Sequence, residues 1–342
     1  MNIIIALLLL GVIILIHELG HFLAARFFKM PVAEFSIGMG PELYSYYTGK
    51  TTYSIRIIPI GGYVNIEGME VENKVENGFN SQSAISRFVV LFAGVFMNFI
   101  LALIVIIGMT FSSGEPIQNQ NPVVGNILKN TQAYNVLEIN DTIEKINGIE
   151  IKDWTQISKV IKETSKDNEV LSLEIKRDSK LLNVNLPLTV VEKGKPAIIG
   201  IIPQYTFERF GFVDGMKNSF KIYTGIFKET LQGVKMLVTG KVKAKDISGP
   251  VGIVKVVGDA SESGNTGILL WLLAVLSINV GIFNLLPFPA LDGGRIVFVI
   301  LELLGIEVNK KLEERVHMVG MIILFGLIIF ATGNDVFNIF GR

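Results

Sequence analysis

The sequence predicts a polytopic α-helical membrane protein, with about four transmembrane helices and an inserted mixed α/β domain. Three observations carry that reading. Half of the 342 residues are hydrophobic and only 18% are charged, too apolar for an ordinary soluble pair of domains. Four apolar stretches approach the length that crosses a bilayer. Between the second and the third lies a long segment in which strand-like and helix-like periods alternate.

Taken in order, the stretches are Ile3 to Ala25, Phe88 to Phe111, Gly267 to Pro287 and Val316 to Thr332. They hold about 23, 24, 21 and 17 residues, so at about 1.5 Å per residue the first three cover a hydrocarbon core of about 30 Å and the fourth is marginal. Only Met1 and Asn2 precede the first stretch, with no basic region before it and no small-residue cleavage site after it. It reads as a retained helix rather than a signal peptide. The loop from Arg26 to Arg87 carries Arg26, Lys29, Lys50, Arg56, Lys74 and Arg87, and the loop after the third stretch carries Arg295, Lys310, Lys311 and Arg315. By the excess of positive charge in cytoplasmic loops, these two loops are expected inside, with both termini and residues 112–266 outside.

From Asn121 to about Pro203 the external segment alternates strand-like runs ("VVGNIL", "TIEKING", "LSLEIKR", "LLNVNLPL") with one amphipathic helix, "WTQISKVIKET". In that helix Trp154, Ile157, Val160 and Ile161 share a face. Further on, Met216, Phe220, Tyr223, Phe227, Leu231 and Val234 recur at helical spacing opposite lysines. Two settings suit such a helix: lying on the membrane surface, or packed on the globular module.

The formal net charge is zero and no basic run is interleaved with aromatics, which removes nucleic acid as a partner. There is no cysteine, so disulfides, thiolate zinc sites and a cysteine nucleophile are all excluded. Any metal must be held by His, Asp or Glu. In "IILIHELGHFLAAR" two histidines and a glutamate sit inside the first apolar stretch, where such side chains are costly. His17 and His21 are four apart and so project from one helical face, where both imidazoles can reach one Zn²⁺, and Glu18 beside them is placed as a general base. A catalytic zinc needs a third protein ligand. His317 is a lone histidine and reads as structural. The better candidate is Asp292 in "NLLPFPALDGGR": Pro287 and Pro289 break the helix before it, and Gly293 and Gly294 allow close backbone approach after it. Taken alone, Asp292 could equally be the N-cap of a following helix.

Together, "HELGH" in the first stretch, "NLLPFPALDGG" at the end of the third and the module between them resemble the site-2 protease family, the M50-like intramembrane zinc metalloproteases, in its bacterial RseP-type branch. The resemblance spans nearly the whole chain. It includes "GMGPELYS" and "YSIRIIPIGGYVNIEG" (Gly38 to Gly68), similar to the family's membrane-associated β-hairpin, and "ISGPVGI" (Ile247 to Ile253). The external module resembles a PDZ domain, although Val136 stands where its glycine is expected and Ile139 and Asn140 stand where Pro-Gly is usual.

The resemblance implies His17, His21 and Asp292 as ligands of a Zn²⁺ cofactor and Glu18 as catalytic base. Asn284, Gly61 and Gly62 are implied to bind substrate. The expected divisions are 1–28 for the first span, 29–87 for the hairpin region, 88–111 for the second span and 112–205 for the PDZ-like domain. Residues 206–265 follow as an amphipathic helical linker, then 266–288 as the third span, 289–315 as the LDGG motif and a cytoplasmic loop, and 316–334 as the fourth span.

The implied activity is intramembrane cleavage of single-span proteins, such as anti-sigma factors and signal-peptide remnants, in a bacterial inner membrane, with the active site near the cytoplasmic side. The alternatives are a catalytically inactive PDZ-containing membrane scaffold and a zinc transporter. An intact Glu18 argues against the first. The second would need more intramembrane polar groups than Asn98 and His317.

Overall fold

The computed structural model describes residues 2–69, 75–128, 131–164, 170–187, 199–241, 249–262, 264–306 and 308–340. The chain divides into two units, Phe111–Gly211 and the remainder.

In the larger unit, α1 (Asn2–Phe27) is followed by the antiparallel pair β1 (Val32–Tyr47) and β2 (Thr52–Ile66), then α2 (Ala84–Ser113). The two strands are not straight. Gly38 and Gly61 take left-handed φ values of 86° and 68°, which only glycine adopts cheaply, and residues Glu34 to Ile37 register with both Thr52 to Ile55 and Gly62 to Asn65. The hairpin therefore curls back on itself while leaning on α1.

After the smaller unit come α4 (Phe212–Val238), α5 (Pro250–Glu262), α6 (Thr266–Asn284), α7 (Asp292–Leu303) and α8 (Lys310–Phe340). Among the described residues, α1, α2, α6 and α8 are the four helices long and apolar enough to cross a membrane. The expected marginal fourth stretch lies within a 27-residue candidate span, Lys311–Phe337, because the flanking residues "KKLEERV" and "GNDV" continue the helix. The third helix stops at Asn284, three residues before Pro287, where the missing N–H and the restricted preceding residue end it.

Two expectations are corrected here. The apolar face of the amphipathic helix α4 has partners that neither expected setting named: Ile226, with Ile222, Tyr223 and Phe227, joins a core with Ala102 and Ile106 of α2 and Ala274 and Ile278 of α6. Thr230 also donates to Asn279 of α6 at 2.7 Å. Residues 289–315, expected as the LDGG motif and a cytoplasmic loop, contain the helix α7, whose Ile296 and Val299 are buried against Ala25, Val90 and Leu91. The N-terminus of α5 is held by α8, where buried Asp335 accepts from the N–H groups of Gly249 (2.9 Å) and Gly252 (2.7 Å). Residues Ile247 and Ser248 of the "ISGPVGI" motif lie outside the described residues.

The smaller unit holds β3 (Glu115–Gln118), β4 (Val124–Ile127), β5 (Thr142–Ile146), β6 (Ile149–Glu150), α3 (Trp154–Thr164), β7 (Val170–Arg177), β8 (Lys180–Pro187), β9 (Ile201–Pro203) and β10 (Tyr205–Glu208). A four-stranded sheet, β6-β5-β7-β8, buries Ile143, Ile146, Leu171, Leu173 and Ile175 against Trp154, Ile157, Val160 and Ile161 of α3. Asn140 stands where glycine is usual and turns with φ 75°, a conformation its short polar side chain tolerates.

Candidate metal centre and active site

One face of α1 carries His17 and His21 a turn apart, with ring centroids 4.7 Å apart and the rings nearly perpendicular. Their Nε2 atoms are 3.1 Å apart, and both side chains are buried. Asp292 comes from the far end of the sequence. The chain leaves α6, passes two prolines, takes a left-handed turn at Ala290 (φ 80°) and enters α7. An alanine in that conformation is strained, and its N–H is held by His317, whose Nδ1 accepts it at 3.0 Å. His317 therefore lies behind the loop and outside the ligand cluster.

The residue capping α7 is Leu291, with no side-chain cap. The carboxylate of Asp292 faces the histidines instead: Oδ2 lies 3.0 Å from His17 Nε2 and 3.4 Å from His21 Nε2. Close backbone approach positions this helix start, because a Cβ on Gly293 or Gly294 would lie 2.3 Å from Leu286 O or 2.4 Å from Phe288 O.

Three ligand atoms thus converge, all within 4.8 Å of one another. Ligands at about 2.0–2.2 Å on a tetrahedron stand about 3.3–3.6 Å apart, within a few tenths of an ångström of the observed separations. The Nδ1–H of His21 donates to Val90 O at 2.8 Å, leaving its Nε2 lone pair toward the cluster. Asp292 Oδ2 is buried without a hydrogen-bond donor. Two imidazoles and a carboxylate aimed at one point suit a divalent cation, and nitrogen and oxygen donors of this kind suit zinc.

Glu18 lies beside them, and its Oε2 accepts from the backbone N–H of Val64 on β2 at 3.1 Å. Glu18, His17, His21, Asp292 and Asn284 line one cavity of about 360 Å³, together with Val64, Ile66 and Arg295. Gly61 and Gly62 do not line it. A Cβ on Gly61 would meet Ile14 at 2.7 Å, and one on Gly62 would meet Ser36 O at 2.2 Å, so both let β2 lie close against its neighbours. Val64 and Val90 enter the site through backbone atoms, which no side-chain pattern announces. The positive φ at Ala290 has no sequence signal either.

A carboxylate set beside a His, His, Asp cluster in an apolar helical unit defines the class: a membrane-embedded, metal-dependent hydrolase. Residues 5–327 match Peptidase family M50, and the chain belongs to that family. It is 49% identical to "Putative zinc metalloprotease FN1322" of Fusobacterium nucleatum, over 99% of this chain and all of that protein. It is 30% identical to "Zinc metalloprotease RasP" of Oceanobacillus iheyensis and 27% identical to "Regulator of sigma-W protease RasP" of Bacillus subtilis, over 98% of each chain in both cases. Among solved structures, a PDZ domain of an SdrC-like protein from Listeria monocytogenes aligns at 21% identity and a TM-score of 0.22, covering 25% of this chain and 90% of that one. The chain is a site-2 type zinc metalloprotease, and zinc is its cofactor.

Proposed function

We propose that this protease cuts within the membrane-spanning helix of single-span proteins, with His17, His21 and Asp292 holding zinc and Glu18 as general base. The observation that carries the proposal is Glu18: a carboxylate anchored by Val64 N–H in the same cavity as the ligand cluster, within a candidate membrane span. An inactive scaffold has no use for a base at that place. Bound zinc supplies Lewis-acid polarisation of a carbonyl and acidification of a water. Glu18 takes the proton of the attacking water and delivers it to the leaving amide nitrogen, and the hydrogen bond from Val64 fixes the carboxylate for both steps.

A helical substrate has its carbonyls bonded internally and must unwind before attack. The curled β1–β2 hairpin offers backbone groups to pair with the unwound strand, and Asn284 on the cavity wall donates to it from the other side. Gly61 and Gly62 serve that strand by keeping β2 tight on α1.

Membrane anti-sigma factors are one substrate class, which agrees with the sigma-W regulator named among the relatives, and signal-peptide remnants are another. The excess of positive charge in two loops supports a topology with the hairpin and LDGG sides of the spans in the cytoplasm of a bacterial inner membrane. The termini and the PDZ-like unit then lie outside, where the unit excludes bulky ectodomains.

The test is cleavage of a single-span helical substrate without a bulky ectodomain by purified protein in detergent, beside Glu18→Gln. Expected are cuts inside the span that fall by about 10²–10⁴-fold in the variant, with zinc content unchanged. If zinc-loaded protein leaves several such substrates intact, the scaffold reading replaces this one.

A further inference from the structure

Each ligand histidine needs its Nδ1 occupied by an acceptor if Nε2 is to face a metal, because the neutral ring carries one proton. For His21 that acceptor is the Val90 carbonyl. Along α2, Val90, Gly94 and Asn98 are spaced four apart and so lie on one face, opposite the histidine face of α1. Gly94 keeps the middle of that face clear, since a Cβ there would lie 2.4 Å from His21 Nε2. Asn98 is fully buried, and its side-chain amide lies 3.4 Å from His17 Nδ1. Its backbone carbonyl accepts from buried Ser277 of α6 at 2.8 Å, which pins that turn of the helix.

We infer that Asn98 is a positioning residue for the metal centre: its amide oxygen accepts the Nδ1–H of His17, fixing the tautomer that turns Nε2 toward the zinc. This rests on the ligand role proposed for His17. The amide can present either end to the ring, and the chemistry selects one. An Nδ2 donor facing Nδ1 would require the ring proton on Nε2, where it would block ligation. A half-turn of the amide brings Oδ1, which lacks a partner, onto Nδ1. One helix thus serves both ligands, His21 through a backbone carbonyl and His17 through a side chain.

The experiment uses the full-length protein in detergent. Zinc affinity is measured by chelator competition, and the visible absorption of the Co²⁺-substituted protein is recorded for wild type, Asn98→Leu, Asn98→Asp and His17→Ala. Thermal unfolding of the metal-free form shows which variants fold. Asn98→Leu keeps the branched shape at Cγ but removes the acceptor and is expected to weaken zinc binding about 10–100-fold and to alter the Co²⁺ bands. Asn98→Asp retains an acceptor and is expected to bind zinc at least as tightly as wild type. Zinc affinity within twofold of wild type in a folded Asn98→Leu overturns the inference, as does an equal loss in Asn98→Asp. If Asn98→Leu does not fold, Asn98→Ala is read by the same two criteria. His17→Ala separates the two failures: if it binds zinc normally, the ligand assignment fails, whereas if it loses zinc while Asn98→Leu does not, only the role of Asn98 fails.

Discussion

Two polar clusters of the larger unit satisfy their charges in opposite ways. On the hairpin, Glu34 accepts from Ser54, Tyr63 and Arg56, and Arg56 also donates to the Gly40 carbonyl at 2.7 Å and lies over the Tyr63 ring. Every strong acceptor there has a donor from the chain. At the metal centre three acceptor groups face one another and Asp292 Oδ2 has none. A buried charge is tolerated only when paired: in the first cluster the Glu34 carboxylate has its donors and Arg56 Nε alone lacks a partner, whereas the second offers acceptors that suit a cation. Composition would not separate them. The difference lies in whether donors and acceptors cancel.

That contrast can be broken most sharply at Asp292. Asp292→Asn removes the proposed anionic ligand, and metal analysis after gel filtration should show zinc affinity falling by more than the roughly 10–100-fold cost of losing a residue that only orients a ligand, with proteolysis lost. Glu34→Gln should do the reverse: zinc content and the Co²⁺ spectrum stay as in wild type, while the unfolding temperature falls by several degrees because Arg56 keeps only the longer pair with Glu42, at 3.8 Å. A loss of zinc in the Glu34 variant would show that the clusters are not independent.

A finer probe is pH. Burial raises the Glu34 carboxyl, but hydrogen bonds from Ser54, Tyr63 and Arg56 outweigh it and hold the group below the ordinary glutamate range. Burial and the bond to Glu34 push the Tyr63 phenol up to about 12. A lowered carboxylate stabilises the fold above its unfolded value, about 4.3, and that contribution disappears as pH falls through the folded value. A raised phenol stabilises the fold below its unfolded value, about 10, and that contribution disappears as pH rises toward 12. Ultraviolet titration should find one of the eight tyrosines ionising near 12, absent in Tyr63→Phe. Ionisation of all eight near 10 would count against the network.

The smallest expected effect concerns the loop that delivers Asp292. Ala290→Gly should relieve about 1 kcal/mol of left-handed backbone strain. His317→Phe should lower activity with zinc still bound, and the double variant should recover part of it, because glycine holds φ 80° without the His317 hydrogen bond. Steady-state cleavage rates of the single and double variants are the measure. No recovery in the double variant would mean that His317 acts through something other than this turn.

Much of this was legible in the sequence. The four apolar helices follow from composition and length, and the core of α3 follows from the spacing of Trp154, Ile157, Val160 and Ile161. The helical spacing of His17 and His21 announced a shared face. What escaped was tertiary. The face of α4 gives the same pattern whether its partner is lipid, a sheet or other helices, and only the contact with α2 and α6 decides. In α7, Ile296, Val299, Ile300 and Leu303 have helical spacing that was available to be read, but the two glycines at its start masked it. Asn98 could be noticed as a polar group in an apolar span, but its nearness to His17, 81 positions away, could not.

The cluster joins the first helix to a residue near the start of the seventh, so almost the whole polypeptide separates its parts. During synthesis the "HELGH" helix exists long before Asp292 is made, an interval on the order of tens of seconds at ordinary elongation rates. Through that time the nascent chain carries two histidines and a glutamate but not the third donor. On the proposed ligand set, the zinc site is therefore incomplete until about four fifths of the chain has been made.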